Sequence, residues 1–387
     1  MATASDVLSS SSVKNAKNPS PPEAIHVRSS NKHGPDRYGG NYKIRILSFL
    51  PDSWIPYIQL ARLFPPAGLF LIYFPHAFGV LHAAIQIQAS PGMVFQASTV
   101  TLGGSFFFSN AAHVWNDLID AELDAKVERT SQRPIPRGAV SPRAAFVFTL
   151  TQAVGAAYFL TWLPGGFLHG FLYALPNIIA TIYYPWAKRH THFPQLVLGV
   201  CLAWGTIMGE LALGVPAFTV SVGDTWWPSN FLSCARGDLD FSLISIKVKS
   251  SVITLFLAGV VWTVIYDTVY AHLDLQADLQ VGIKSLAVLF QTRTKAALWP
   301  LLVTIAGLLV DCGRRSQLGA PYYLIGVTGA IGSLGTMIAL VDLRNSQSCW
   351  WWFSKGFWLA GGAIVAGLLG EYMLSVVLQC KTGFQFT

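Results

Sequence analysis

Beyond Pro51 the chain alternates between long apolar stretches and short polar connections that carry most of its charge. The apolar stretches cover 66–88, 94–115, 143–163, 166–184, 195–214, 252–271, 296–311, 322–342 and 356–378. Most fall within the roughly 17–25 residues that a helix needs to cross a bilayer. None shows the two-residue alternation of a membrane barrel, so each must satisfy its backbone hydrogen bonds as a helix. The pattern predicts an all-α, polytopic membrane bundle of nine transmembrane helices over residues 51–387. Residues 1–43 are different in kind, being rich in Ser, Pro, Asn and Lys with a serine run at 9–12. Too few large apolar groups are present there to offset the entropy of ordering, so a disordered N-terminal tail is expected over 1–50. No apolar core near the start marks a secretory signal. A mitochondrial transit peptide is the alternative, and Asp6, Glu23 and the scarcity of Arg weigh against it.

Composition supports the membrane reading. Hydrophobic residues make up 52% of the chain and charged residues 12%, about half the usual share of a soluble domain. A soluble fold could not bury that much apolar surface. The distribution of Lys and Arg adds a topology. With the N-terminus cytosolic, 20 of the 26 basic residues lie on the cytosolic side: eight up to Arg62, five in 126–143, Lys188 and Arg189, three in 284–295, and Arg344 with Lys355. Such a bias is the positive-inside pattern. The net charge of +7 therefore reflects topology, and no basic stripe interleaved with base-stacking aromatics points to nucleic acid. The five cysteines, at 201, 234, 312, 349 and 380, have no metal-type spacing.

One connection breaks the pattern. Residues 220–250 form a poorly patterned stretch between the fifth and sixth spans, longer than an ordinary loop. Two readings stand: a genuine loop packed over the far face, or a gene-model artefact such as a translated intron. Transcript sequencing separates them.

Of 19 acidic residues, eight fall in two short windows, HVWNDLIDAELDAKVERTSQRPIPRG (113–138) and YDTVYAHLDLQADLQVGIKSLAV (266–288). Each lies where an apolar helix reaches the cytosolic side. Asn116, Asp120 and Asp124 are spaced i, i+4, i+8 and so line one helix face. Asp274 and Asp278 repeat the i, i+4 step, with Asp267 two turns earlier on the same predicted stripe. Asp117, Glu122 and Glu128 fall off these faces. Two columns of carboxylate at the edge of the membrane core are expensive unless a cation compensates them. Hard oxygen donors at this density suit Mg²⁺, which takes one or two carboxylates together with substrate phosphate oxygens. Arg129, Arg133, Arg137, Lys188, Arg189 and Lys284 lie in loops on the same side. Arg grips phosphate oxygens with its planar fork and Lys acts as a point charge. Carboxylates, Mg²⁺ and these cations together would bind a diphosphate and stabilise it as a leaving group.

On these residues the chain resembles the UbiA superfamily of intramembrane prenyltransferases. An NxxxDxxxD pattern is met by Asn116, Asp120 and Asp124, and a second DxxxD by Asp274 and Asp278. Further similarity lies in YYPWAKRHTHFPQLVLG (183–199) and ARLFPPAGLFLIYFPHAFG (61–79). It runs from about residue 50 to the C-terminus, with 220–250 unmatched. Many relatives carry adjacent aspartates at the end of the second pattern, whereas here Ala277 precedes Asp278. The resemblance implies a bundle around a central cavity, with a prenyl diphosphate at its cytosolic mouth and the prenyl tail in the apolar interior. It further implies that Lys188 and Lys284 contact the diphosphate, joined in the substrate set by Asn116, Arg133 and Asp267, and that Arg62 faces the carboxylate of an aromatic acceptor. A snorkelling interfacial role is the alternative for Arg62.

The implied reaction is electrophilic aromatic substitution with Mg²⁺ held by Asp120, Asp124, Asp274 and Asp278, which are also the expected catalytic set. The expected donor is farnesyl diphosphate and the expected acceptor an orsellinic-type phenolic acid, giving a meroterpenoid precursor; 4-hydroxybenzoate in quinone synthesis is the alternative. An endoplasmic reticulum or other endomembrane is expected, with the mitochondrial inner membrane as the alternative. The expected partners are these two substrates and the lipid bilayer; no obligate protein partner is called for. A secondary transporter would place its acidic residues near helix centres, whereas here they sit at helix ends beside basic loops.

Overall fold

The computed structural model describes residues 50–63, 66–222, 225–226 and 244–383. The predicted tail up to residue 49 and the middle of the 220–250 stretch lie outside the described residues. The described helices are α1 (Ile55–Leu60), α2 (Ala67–Ile87), α3 (Pro91–Asp124), α4 (Glu128–Ser131), α5 (Pro142–Leu160), α6 (Gly166–His190), α7 (Pro194–Ala203), α8 (Gly205–Ala212), α9 (Ser250–Ala271), α10 (Leu275–Val281), α11 (Leu286–Phe290), α12 (Thr294–Arg315), α13 (Thr328–Leu340) and α14 (Ser346–Gly383). A π-helical turn, Tyr322–Val327, leads into α13.

Eight segments among the described residues are long and apolar enough to cross a membrane. They coincide with eight of the nine predicted spans, and the chain is an integral membrane protein. The predicted span 94–115 lies within α3, which is 34 residues long and so fails on composition rather than length. Ser98, Thr99, Thr101, Ser105, Ser109 and Asn110 dilute its apolar residues. Thr101, Ser105, Ser109 and Asn110 are buried, so this polarity faces protein and not lipid. A polar stripe turned inward is what a helix lining a functional interior needs.

Local sequence fixes the helix starts. Ser90 and Ser141 cap α3 and α5, accepting from the amides of Met93 at 3.4 Å and Ala144 at 3.2 Å, and each is followed by Pro at the first helical position. These side chains satisfy donors that the first turn leaves unpaired. At its other end α6 finishes in Lys188, Arg189 and His190, cations that suit the negative pole of the helix dipole.

The main core joins α2, α9, α12, α13 and α14 around a set of rings. Phe78, Trp262, Tyr266 and Phe357 are fully buried, and Phe74 packs edge-on to Trp262, Phe357 and Trp358. Between α2 and α8 the contact is backbone on backbone. A Cβ at Gly79 would strike the carbonyl of Thr206, and one at Gly209 would strike the carbonyl of His76. Small residues at such a crossing let membrane helices approach closely.

The two ends of the 220–250 stretch carry order that its sequence did not advertise. Phe218–Val222 (β1) pairs antiparallel with Ile244–Val248 (β3) and with Thr225–Trp226 (β2), in the order β2-β1-β3. Lys249 then begins the approach to α9, its amide donating to the Ala217 carbonyl at 2.9 Å.

Candidate active site

Helix α3 delivers the first aspartates. Ser105, Ser109, Asp117, Asp120 and Asp124 follow one another along its inner face and are all buried. Burying carboxylates is costly without partners, and each finds one at the end of the bundle where α3, α6 and α9 finish. Asp120 receives an ion pair from Lys188, at the end of α6. Asp124 accepts from Arg133 Nη1 at 2.6 Å. Asp117 accepts from Arg62 Nη2 at 2.6 Å and from Arg133 Nη1 at 3.1 Å.

Spacing placed Asp117 off the shared face and left its role open, whereas in the fold it is part of the cluster. It is 2% exposed and joins two cations. The i, i+4 rule selects a stripe narrower than the face that a helix presents to an interior, and so misses a neighbour about 60° away. Arg62 is the group this pairing orients. It ends α1 with a left-handed backbone, φ 52°, a conformation that a non-glycine residue adopts at some cost.

The second aspartates do not continue one helical stripe, as their spacing had suggested. Helix α9 ends at Ala271, and Asp274 opens the separate short helix α10. The i, i+4 step survives inside α10, where the Asp278 amide donates to the Asp274 carbonyl at 2.8 Å. Asp267 remains on α9, within reach of Gln195 and of the Lys188 charge. The break turns the Asp274 carboxylate toward Arg129, which donates from Nε at 2.7 Å and pairs through Nη2 as well.

The two clusters meet through their cations. Arg129 and Arg133 lie four residues apart in the segment after α3; one holds Asp274 and the other Asp124. Lys188 pairs with Asp120 and also attracts Asp274 and Asp278. Lys284 adjoins the same corner: its amide donates to the Lys188 carbonyl at 2.8 Å and its ammonium to the His190 carbonyl at 3.3 Å. Arg189 donates to the Ile119 carbonyl at 2.9 Å. Arg137 turns away toward Gln132 and Gln59. Asn116 is part-buried on α3 beside Asp117.

The carboxyls of α10 differ in character. Burial would raise the pKa of Asp274, but the adjoining Arg129 overrides it and holds the carboxyl below its usual range. Asp278 has no ion-pair partner among the described residues; burial, reinforced by the neighbouring Asp274 charge, pushes its pKa up to about 7. The more distant charges of Lys188 and Arg129 draw it the other way without offsetting this.

No three His, Cys, Asp or Glu side chains among the described residues gather into a ready metal cluster. The donor chemistry nonetheless suits Mg²⁺. Every candidate ligand is a hard carboxylate oxygen. Asp120 Oδ1 is buried without a hydrogen-bond partner, Arg189 Nη2 standing 3.6 Å away, and Asp278 is uncompensated. A divalent ion would satisfy both.

A model of the UbiA prenyltransferase family matches residues 72–361, more than half of the chain. The chain is 32% identical over 335 residues to the mitochondrial 4-hydroxybenzoate polyprenyltransferase of Saccharomyces cerevisiae, covering 85% of this chain and 78% of that protein. It is 31% identical over 351 residues to prenyltransferase stbC of Stachybotrys bisbyi, covering 88% and 94%. Its fold matches the solved structure of a UbiA homolog from Archaeoglobus fulgidus bound to GPP and Mg²⁺ with a TM-score of 0.54 at 15% identity, over 82% of this chain and 99% of that one.

Proposed function

The chain belongs to the UbiA prenyltransferase family, and on that premise we propose that it transfers a farnesyl group from farnesyl diphosphate to an orsellinic-type phenolic acid. That it is a membrane-embedded aromatic prenyltransferase follows from the family match and from relatives named for that activity. The use of a diphosphate donor is supported by one observation: two aspartate pairs, from α3 and from α10, share the cations Arg129, Arg133 and Lys188 at one end of the bundle.

In this reading Asp120, Asp124, Asp274 and Asp278 hold Mg²⁺, which when bound supplies positive charge to the departing diphosphate. Lys188, Lys284 and Arg133 grip the phosphate oxygens, Asn116 donates to them, and Asp267 helps position Lys188. Diphosphate binding is then an exchange, because Lys188 must share with phosphate the charge it now gives Asp120. The prenyl C1–O bond breaks with its electron pair going to diphosphate, leaving an allylic cation. Apolar walls exclude the water that would quench it. The faces of Tyr184 and Tyr270 can stabilise it by about 0.5–2 kcal/mol each. Arg62, held by Asp117, receives the acceptor carboxylate and turns the electron-rich ring toward the cation.

The preference for an orsellinic-type acceptor rests on the likeness to fungal prenyltransferases, stbC among them. A 4-hydroxybenzoate acceptor is the second reading, favoured by the match to the yeast 4-hydroxybenzoate enzyme at similar identity. An endomembrane location goes with the first acceptor and the mitochondrial inner membrane with the second. Microsomes containing the expressed protein, fed farnesyl diphosphate and each acceptor in turn, should yield a farnesylated orsellinic-type product by mass spectrometry. Product from 4-hydroxybenzoate alone would transfer the assignment to the second reading.

A further inference from the structure

Electrophilic substitution ends when the ring carbon that has bonded the prenyl group loses its hydrogen, and a base must receive that proton. We propose that His113 is this base, an inference that rests on the aromatic-transferase reading above. His113 sits one turn below Asp117 on the inner face of α3. Its Nδ1 lies 2.8 Å from the Ser109 carbonyl oxygen. A carbonyl only accepts, so Nδ1 carries the hydrogen and donates it, which leaves the lone pair on Nε2. The Ser109 hydroxyl, 3.2 Å from the same nitrogen, adds a second partner on that edge of the ring.

Nε2 has no hydrogen-bond partner among the described residues, yet it is not sealed among the buried orphan atoms of the protein. Above and below it on the same face, Asp117 and Ser109 are 2% and 1% exposed. His113 itself keeps accessible surface between these two buried neighbours. Across from it on α2, residue 68 is Gly, and a Cβ there would overlap His113 Cε1 and Nε2, so the missing side chain is what lets the imidazole sit against that helix. Arg62, the residue proposed to receive the acceptor carboxylate, pairs with Asp117 one turn above His113. An acceptor anchored at Arg62 and extending inward therefore brings its ring to the level of Nε2.

The step balances without another reagent. The ring carbon bonds to C1 of the prenyl cation, its C–H bond then breaks, that electron pair restores the aromatic ring, and the proton goes to Nε2. The Nδ1–H bond to Ser109 is kept throughout. The imidazolium so formed returns its proton to water once products leave. Asp267, across the site on α9, is the rival acceptor of the proton.

The test uses the purified full-length enzyme in detergent with farnesyl diphosphate, Mg²⁺ and an acceptor deuterated at the ring position that becomes prenylated. Wild type should form product without a primary isotope effect, because deprotonation is fast. His113→Gln should form product about 10²–10⁴-fold more slowly, the usual contribution of a positioned base, and should acquire a primary isotope effect. It should still ionise farnesyl diphosphate, releasing farnesol, which also reports that the variant is folded with its diphosphate site intact. Transfer by His113→Gln at the wild-type rate, slow transfer with no isotope effect, or an isotope effect that appears in Asp267→Asn instead would each overturn the proposal. If wild type prenylates no aromatic acceptor, the functional reading fails first and this inference with it; if wild type transfers normally and only these variant results disagree, the inference alone fails.

Discussion

Arg129 clasps Asp274 with two nitrogens at once, Nε at 2.7 Å and Nη2 beside it, across 145 residues of sequence. This fork ties the segment that leaves α3 to the start of α10, and so to the helix that carries the second pair of aspartates. Two-point geometry fixes direction as well as distance. The guanidinium also lies over the Tyr270 ring, 5.9 Å from its centroid.

Cutting that clasp should harm folding and activity together. Asp274→Ala leaves Arg129 largely buried without its counter-charge, and breaking a buried pair in this way costs about 3–5 kcal/mol. Asp274→Asn keeps an acceptor for Arg129 and should melt closer to wild type, yet turn over no faster than Asp274→Ala. Thermal unfolding in detergent and product formation, measured on both variants, check the two halves separately.

Asp120 has the opposite balance. Its Oδ1 has no hydrogen-bond partner, so Asp120→Asn retains the shape of the site and should stay folded while losing at least about 10²-fold in turnover, as expected when charge stabilisation of the leaving group is removed. Chelation with EDTA should abolish wild-type turnover and added Mg²⁺ should restore it. Near-normal turnover by Asp120→Asn, or by the chelated enzyme, would remove this aspartate from the machinery.

Asp278 should separate stability from function most cleanly. Its carboxyl is buried beside Asp274 with no ion-pair partner among the described residues. Asp278→Asn removes that repulsion, so its melting temperature should equal or exceed that of wild type while product formation falls steeply. Groups kept for function at a cost to folding behave in this way. A variant that is less stable and fully active would reverse the assignment.

At the other end of the bundle, a buried pair should matter for folding alone. His82 on α2 bonds Glu210 on α8 through Nδ1 and the Ser316 hydroxyl, 2.6 Å away, through Nε2. Both side chains of the ion pair are at most 1% exposed. His82→Ala strands the Glu210 carboxylate and should cost about 3–5 kcal/mol. The KM for farnesyl diphosphate of the surviving folded fraction should be unchanged, which steady-state kinetics below the melting temperature will show.

Much of this was readable from local pattern. Apolar runs located eight spans, because bilayer thickness acts on composition directly, and the spacing of Asp120 with Asp124 and of Asp274 with Asp278 marked the candidate site. The readings that changed depend on tertiary partners. Asp117 looked peripheral by helical spacing and is held by Arg62 and Arg133, which approach from other segments. Asp267 and Asp274 looked collinear, but α9 stops between them without a proline or glycine to announce it. Residues 94–115 read as one more apolar span, and the inward polarity of Thr101, Ser105, Ser109 and Asn110 emerges only in the fold. Strands β1 and β3 pair across a gap of more than twenty residues that no short-range pattern could join. His113 stood in plain view as an isolated imidazole; only its bond to Ser109 says which nitrogen holds the lone pair.

The crossing of α2 over α8 has a mechanical consequence. Gly79 and Gly209 bring the two backbones together with no side chain between them to yield. Gly68, facing His113, lies toward one end of α2, and Gln86, bonded to the Ser316 carbonyl, lies toward the other. Any tilt of α2 about that joint swings these ends in opposite directions, as on a seesaw. A methyl group added at the pivot would thus be felt at both faces of the membrane.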